Sequence, residues 1–119
     1  MNRNIAEELA TKLLKETHLE NIVWSIKEAP FNLENKTENF ISIYLETTYK
    51  GKIIGLFEKR LKHYHDEDIY DWVSEANLCI VEEKATRRIS TWEGGGSKAT
   101  RDLLFYAKAK ASGVLNLLE

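Results

Sequence analysis

The chain has little of the three residues that most constrain small folds: one cysteine, one proline and six glycines among 119 residues. Because a disulfide needs two cysteines, none can form within the chain, which fits a reducing compartment. Cys79 lies in the apolar run at residues 78–81, where a buried core thiol is expected. A chain of this length forms a core without such staples, and we expect one domain over residues 1–119.

Long apolar runs are also missing, as is an excess of charge of either sign. No run approaches the roughly 18 residues of a membrane span, and the first residues contain no signal-peptide core. We therefore expect a cytoplasmic protein with no membrane partner. Lys and Arg number 17 and Asp and Glu 19, a net charge of −2. This balance argues against a strongly basic nucleic-acid module, while a local basic patch remains compatible with it.

The residue patterns predict an α+β domain that begins and ends with a helix. Ile5, Leu9 and Leu13 recur at helical spacing, and Asn4 before them is a good N-cap. Alternating apolar and polar residues over 40–49 predict a strand. The following Lys50 and Gly51 suit a hairpin turn, with a returning strand over residues 53–65.

The remaining segments predict further strands and a second helix. Residues 22–26 and 85–92 are interpreted as strands, and 33–38 as a surface loop. Residues 66–77 fit a long bent strand, which we favour, or a short helix. The last helix follows the glycines at 94–96. Sequential hairpins then predict about five strands in a mainly antiparallel meander, with both helices packed on one face of the sheet.

Three glycines and a serine at residues 94–97 form the clearest candidate for a ligand site. Glycines leave backbone amides uncovered, and a helix N-terminus after them can hold an anion. Nearby arginines and lysines would grip a phosphate. The candidate ligand-binding residues are Arg87, Arg88, Gly95, Gly96, Ser97, Lys98 and Arg101. A plain turn is the alternative, since the spacing matches neither a P-loop nor a dinucleotide fingerprint.

A second cluster lies at His63 and His65, followed by acidic residues at 66–68. On a strand the two imidazoles would share a face, a workable spacing for a metal. The alternative is a charged, solvated hairpin tip, because a zinc site would still need a third or fourth ligand from elsewhere in the chain. We assign no metal ligand and no cofactor. No catalytic residue is assigned either, since a nucleophile elbow and a local carboxylate pair are both missing.

These patterns favour a binding protein over an enzyme. Three Trp and five Tyr supply the aromatic side chains typical of contact surfaces. We expect a small non-enzymatic protein, homodimeric or bound to a protein partner, that acts as a bacterial or phage regulator or inhibitor. The first alternative is a binder of a nucleotide or nucleic-acid phosphate at residues 94–97. The second is a metal-dependent hydrolase at His63 and His65.

Overall fold

A computed structural model describes residues 4–34 and 40–118, which form one five-stranded sheet and two long helices. The helices are α1 (Ile5–His18), the short α2 (Phe31–Glu34) and α3 (Lys98–Ser112), followed by a 3-10 turn at Val114–Leu118. The strands are β1 (Ser25–Ile26), β2 (Phe40–Tyr49), β3 (Lys52–Tyr64), β4 (Tyr70–Lys84) and β5 (Arg87–Gly95). Their order is β1-β2-β3-β4-β5, and each pair is antiparallel. The predicted α+β meander is confirmed.

Local signals fix both ends of the long helices. The Asn4 side chain accepts the Glu7 amide at 3.0 Å and begins α1. Ser97 begins α3 in a capping box with Thr100, and Gly113 ends it at φ +76°. Such caps satisfy backbone groups that have no partner inside the helix. Within the described part of the chain, no helix is long and apolar enough to cross a membrane.

The β3–β4 hairpin resolves the ambiguity at residues 66–77 in favour of a strand. β4 begins at Tyr70 and pairs continuously with β3 from Tyr64↔Tyr70 to Ile53↔Val81. The tip closes through the His65 amide, which donates to the Ile69 carbonyl at 2.8 Å. The short-helix alternative is wrong, because long-range pairing favours the extended chain for aromatic and β-branched residues.

Both long helices cover the same face of the sheet, as predicted, and they also contact each other. The core between them and the sheet is built from Ala10, Leu13, Trp24, Leu45, Ile54, Leu56, Ala76, Leu78, Leu103, Leu104 and Ala107. The two-residue period of the strands sends alternate side chains into this layer. The Trp24 indole donates to the Thr17 hydroxyl at 2.8 Å, so its one polar group is satisfied inside the core.

The segment between α1 and β2 differs from its prediction. Ladder pairing with β2 is limited to Ser25 and Ile26, with one further hydrogen bond from the Lys27 amide to the Tyr44 carbonyl. Trp24 is buried in the core, whereas Ile26 is exposed. Leu33, predicted in a surface loop, is buried in α2 against Tyr44, Phe57 and other residues on the opposite face of the sheet. Residues 35–39 of that predicted loop lie outside the described residues. We call residues 27–34 the strap, since they cross the face that the long helices leave open.

Candidate functional site

The glycines predicted to bind an anion lie at the end of β5 and at the first residue after it. Gly94 pairs with Leu78 and Gly95 with Asn77 in the sheet ladder. The Gly96 amide donates to the Ala76 carbonyl at 2.9 Å. The segment is therefore held against β4 by backbone hydrogen bonds, and the Gly96 amide already has an acceptor.

The start of α3 uses its polar groups internally. The Thr100 amide donates to the Ser97 hydroxyl at 3.2 Å, and the Ser97 amide donates to the Thr100 hydroxyl at 3.0 Å. Lys98 pairs with Asp102 at 3.8 Å on the helix surface. Arg101 is exposed on the same turn. The structure thus brings together Gly95, Gly96, Ser97, Lys98 and Arg101; an anion contact there stays a prediction.

Arg87 and Arg88 are not part of that group. They begin β5, whereas Gly95 ends it, and eight strand intervals span roughly 25 Å. Arg87 is exposed. The Arg88 side chain turns beneath the strap, where its guanidinium forms an ion pair with Glu46 of β2. The seven candidate residues therefore do not converge on one ligand.

The Arg88–Glu46 pair is the centre of a buried polar cluster. Glu46 is 7% exposed, and its carboxylate also accepts the Tyr44 hydroxyl at 2.8 Å. Arg88 donates to the Glu28 carbonyl of the strap at 3.5 Å. Sequence reasoning missed this cluster, because its members come from three separate segments. A buried carboxylate needs such a charged partner to remain ionised.

Asn32 fastens the strap to the edge of the sheet. Its amide nitrogen donates to the Ser90 carbonyl at 2.9 Å, and its amide oxygen accepts the Ser90 backbone N–H at 2.8 Å. One side chain thus imitates the hydrogen bonding of a neighbouring strand at an edge that could otherwise pair with another chain. The strap covers the cluster and protects part of β5 from such pairing.

The thiol and the phenol of this layer are held protonated. Burial raises the pKa of Cys79 to about 11, and burial also raises the pKa of Tyr44 well above its ordinary value. A thiol acts as a nucleophile in its ionised form, so Cys79 is unreactive at neutral pH. These groups support a structural role for the cluster.

The free energy of unfolding is expected to fall as the pH rises from about 9 to about 11. The Cys79 thiol ionises near its ordinary pKa of 9.0 in the unfolded chain and near 11 in the folded one. Its contribution is complete below the unfolded pKa and is lost as pH rises through the folded one, a change of about 2 kcal/mol. Urea titrations of the wild type and Cys79→Ala separate this contribution from that of tyrosines and lysines. Parallel pH curves for the two proteins would contradict it.

The histidine cluster contains only part of a metal site. The His63 and His65 rings meet edge to face with centroids 5.1 Å apart, and His65 Nε2 lies 2.7 Å from an Asp71 carboxylate oxygen. His18 instead contacts Tyr106 of α3 at 3.3 Å. Among the described residues, no group of three or more His, Cys, Asp or Glu side chains is placed to hold a metal ion. Metal-dependent hydrolysis at His63 and His65 therefore gains no support here.

The far half of the β3–β4 hairpin extends beyond the rest of the sheet. Pairing of β2 with β3 ends at Phe40↔Arg60, and β5 pairs with β4 only as far as Asn77↔Gly95. Over 4–34 and 40–118, no other strand flanks the two strands farther out. We call residues 60–74 the ribbon. A two-stranded ribbon is only marginally stable on its own. Packing within the ribbon therefore does not account for its exposed side chains.

One face of the ribbon combines aromatic rings with cations. The Tyr64 and Tyr70 rings lie 5.5 Å apart, and Tyr70 meets Trp72 edge to face at 6.0 Å. The Lys62 ammonium lies 4.5 Å from the centre of the Tyr70 ring. The Arg60 guanidinium lies 5.7 Å from that of Trp72. We call this set the aromatic face. By the two-residue period it continues the face on which the long helices pack.

The aromatic face is accessible along its length. Tyr64 is 46% exposed, Tyr70 40% and Trp72 41%. On the opposite face of the ribbon Val73 is 41% exposed, and Ile69 at the tip is 61% exposed. Clustered exposed apolar side chains of this size mark interaction surfaces more often than isolated ones do. Comparisons with protein-family models, with curated proteins and with solved structures find no match to this chain.

Proposed function

We propose that this chain is a non-enzymatic binding protein that contacts a protein partner through the ribbon. The observation that carries the proposal is the aromatic face, an exposed row of Tyr and Trp rings interleaved with Arg60 and Lys62. Tyr, Trp and Arg are the residues in which binding energy concentrates at protein interfaces. Cross-strand and cation–π contacts hold the rings in place, so little side-chain freedom is lost on binding.

Apolar exposure on both sides of the ribbon supports the same proposal. Val73 and Leu61 are directly opposite each other on the face away from the aromatic rings, and Val73 is 41% exposed. Removing apolar surface from water stabilises a complex by about 25 cal/mol per Å² before the costs of association. Either face of the ribbon can therefore contribute apolar area to a complex.

The charges on the hairpin favour a protein over a nucleic acid. Residues 58–76 contain three Lys or Arg against six Asp or Glu. Phosphate backbones are bound mainly through an excess of positive charge, and this segment has the opposite balance. The two cations of the aromatic face also lie over aromatic rings. Such an arrangement suits a partner surface with mixed apolar and acidic side chains.

Site-specific photo-crosslinking tests the proposal directly. A benzophenone amino acid is placed at Tyr70 in one protein and at Phe105 in another, and both are irradiated in lysate of the organism that carries the gene. Phe105 is the matched control, since it is 78% exposed but lies on α3. We expect a discrete protein adduct from Tyr70 only, reduced about tenfold or more when Trp72→Ala is added. Equal adducts from both positions, or none from Tyr70, would count against the proposal.

A further inference from the structure

Charge is segregated along the ribbon. Arg60 and Lys62 lie at its root, the Tyr64 and Tyr70 rings at its middle, and the acidic residues 66–68 at its tip. We propose, on the basis of the function proposed above, that the partner is a second copy of this chain. The two ribbons lie antiparallel with their aromatic faces together, so that the tip of each covers the root of the other.

The spacing of the groups fits a two-fold axis at the tyrosine pair. Tyr64 is directly opposite Tyr70, Lys62 opposite Trp72, and Arg60 opposite Ser74. At about 3.3 Å per residue, Lys62 and Arg60 lie roughly 7 and 13 Å from the pair toward the root. Because the chain turns at residues 66–68, the tip extends about 7–10 Å past the pair on the other side. Rotation by half a turn about the pair therefore exchanges the tip with the root.

The basic root of the ribbon is complementary to its own acidic tip, which favours a second copy of the chain over an unrelated partner. In a two-fold dimer every contact between unlike positions occurs twice. Two positive charges at each root would meet three negative charges at each tip. The half-exposed Tyr64 and Tyr70 rings would pack against their own equivalents. The remaining acidic residue of the ribbon, Asp71, is already engaged by His65 on the opposite face.

The contact is small, so the dimer should be weak and should depend on concentration. One face of a two-stranded ribbon is at the low end of the size range of specific interfaces. Sedimentation equilibrium from about 1 µM to about 500 µM covers the range in which such dimers dissociate. Salt should weaken the dimer, because the tip and root charges remain at the solvent boundary.

Charge reversal gives the decisive test. One variant carries Arg60→Glu and Lys62→Glu at the root, and the other carries Glu67→Lys and Asp68→Lys at the tip. Each alone places like charges together, so we expect a dimer dissociation constant at least about tenfold higher than that of the wild type. An equimolar mixture should recover dimers within about threefold of the wild type, since every root–tip contact is again attractive. In the mixture, the root variant still lacks the cation–π contacts of Arg60 and Lys62. Recovery of the dimer would therefore show that charge repulsion, and not the loss of these contacts, weakens the dimer of the root variant.

A cysteine trap provides a second measurement that does not rely on charge reversal. Tyr64→Cys should be joined to its own copy by a bis-maleimide crosslinker of about 10 Å span, because the backbones of two sheets packed face to face lie about 10 Å apart. Phe105→Cys is the exposed control and should remain monomeric. Cys79 does not compete, since it is fully buried. Equal crosslinking of the two variants would overturn the proposal.

The outcomes separate this inference from the function on which it rests. A wild type that stays monomeric at every concentration, while Tyr70 still crosslinks to a different protein, overturns the second-copy proposal and leaves the binding function standing. A monomer without any adduct overturns both. Binding of an oligothymidylate probe to monomers through Trp72 would overturn both proposals, and single-stranded nucleic acid would then be the partner. Recovery in the mixture, with trapping at Tyr64 alone, supports the antiparallel dimer.

Discussion

Replacing Arg88 with methionine is expected to lower the free energy of unfolding by about 3–5 kcal/mol. The substitution leaves the Glu46 carboxylate, 7% exposed, without the guanidinium that forms its ion pair. The carboxylate retains the Tyr44 hydroxyl, which is a neutral donor and compensates less. Urea denaturation monitored by tryptophan fluorescence measures the loss.

Two further variants show that the cause is the buried charge. Arg87→Met removes a neighbouring arginine that is exposed, and its effect should stay within about 0.5 kcal/mol. The double variant Arg88→Met with Glu46→Gln removes both charges while keeping an acceptor for Tyr44, so it should recover much of the stability. If Arg88→Met were no less stable than Arg87→Met, the Arg88–Glu46 ion pair would not stabilise the folded protein.

This result decides how a loss of binding in an Arg88 variant is to be interpreted. Because Arg88 is close in sequence to residues 94–101, the sequence predicted one phosphate-binding site that includes both. The structure gives its side chain a partner on β2, beneath the strap. A variant that binds less because it is partly unfolded reports stability alone. Arg101, which is exposed on α3, is the better residue for testing the anion hypothesis.

The sequence predicted those parts of the fold that depend on local pattern. The period of two over Phe40–Tyr49 predicted the extent of β2. A bulge between Ile41 and Ile43 interrupts the period, so these two side chains pack on opposite faces of the sheet. The Asn4 side chain predicted the start of α1, and it involves only residues that are close in sequence. Such signals depend on the local sequence and need no knowledge of the rest of the fold.

Features that depend on distant segments could not be predicted. Leu33 lies in a polar stretch of the sequence. It is buried only because the strap crosses over Tyr44 and Phe57. The aromatic face depends on the register Tyr64↔Tyr70. A shift of one residue in that register would place Trp72 on the other face. The sequence placed a polar turn after residue 64, but it left open whether residues 66–77 form a strand or a short helix, so the pairing of Tyr64 with Tyr70 could not be deduced.

Gly95→Ala is expected to lower the free energy of unfolding by about 3 kcal/mol or more. Gly95 has φ +156°, and a Cβ there would lie 2.5 Å from the Ala76 carbonyl oxygen and 2.6 Å from the Asn77 Cα. Both are backbone atoms of β4, so they cannot move without disturbing the ladder. The same carbonyl accepts the Gly96 amide, so a shift of β4 would also break the connection that leads into α3.

Gly51→Ala is the matched control, because it isolates backbone strain from collision. Gly51 has φ +78° and nothing within 4 Å of the added Cβ, so the variant should lose only about 1 kcal/mol. Urea denaturation of the two variants gives the comparison. A larger loss of unfolding free energy for Gly95→Ala would show that the close approach of β4 explains why residue 95 is glycine. Equal losses would remove that explanation and leave the positive φ as the reason for glycine at position 95.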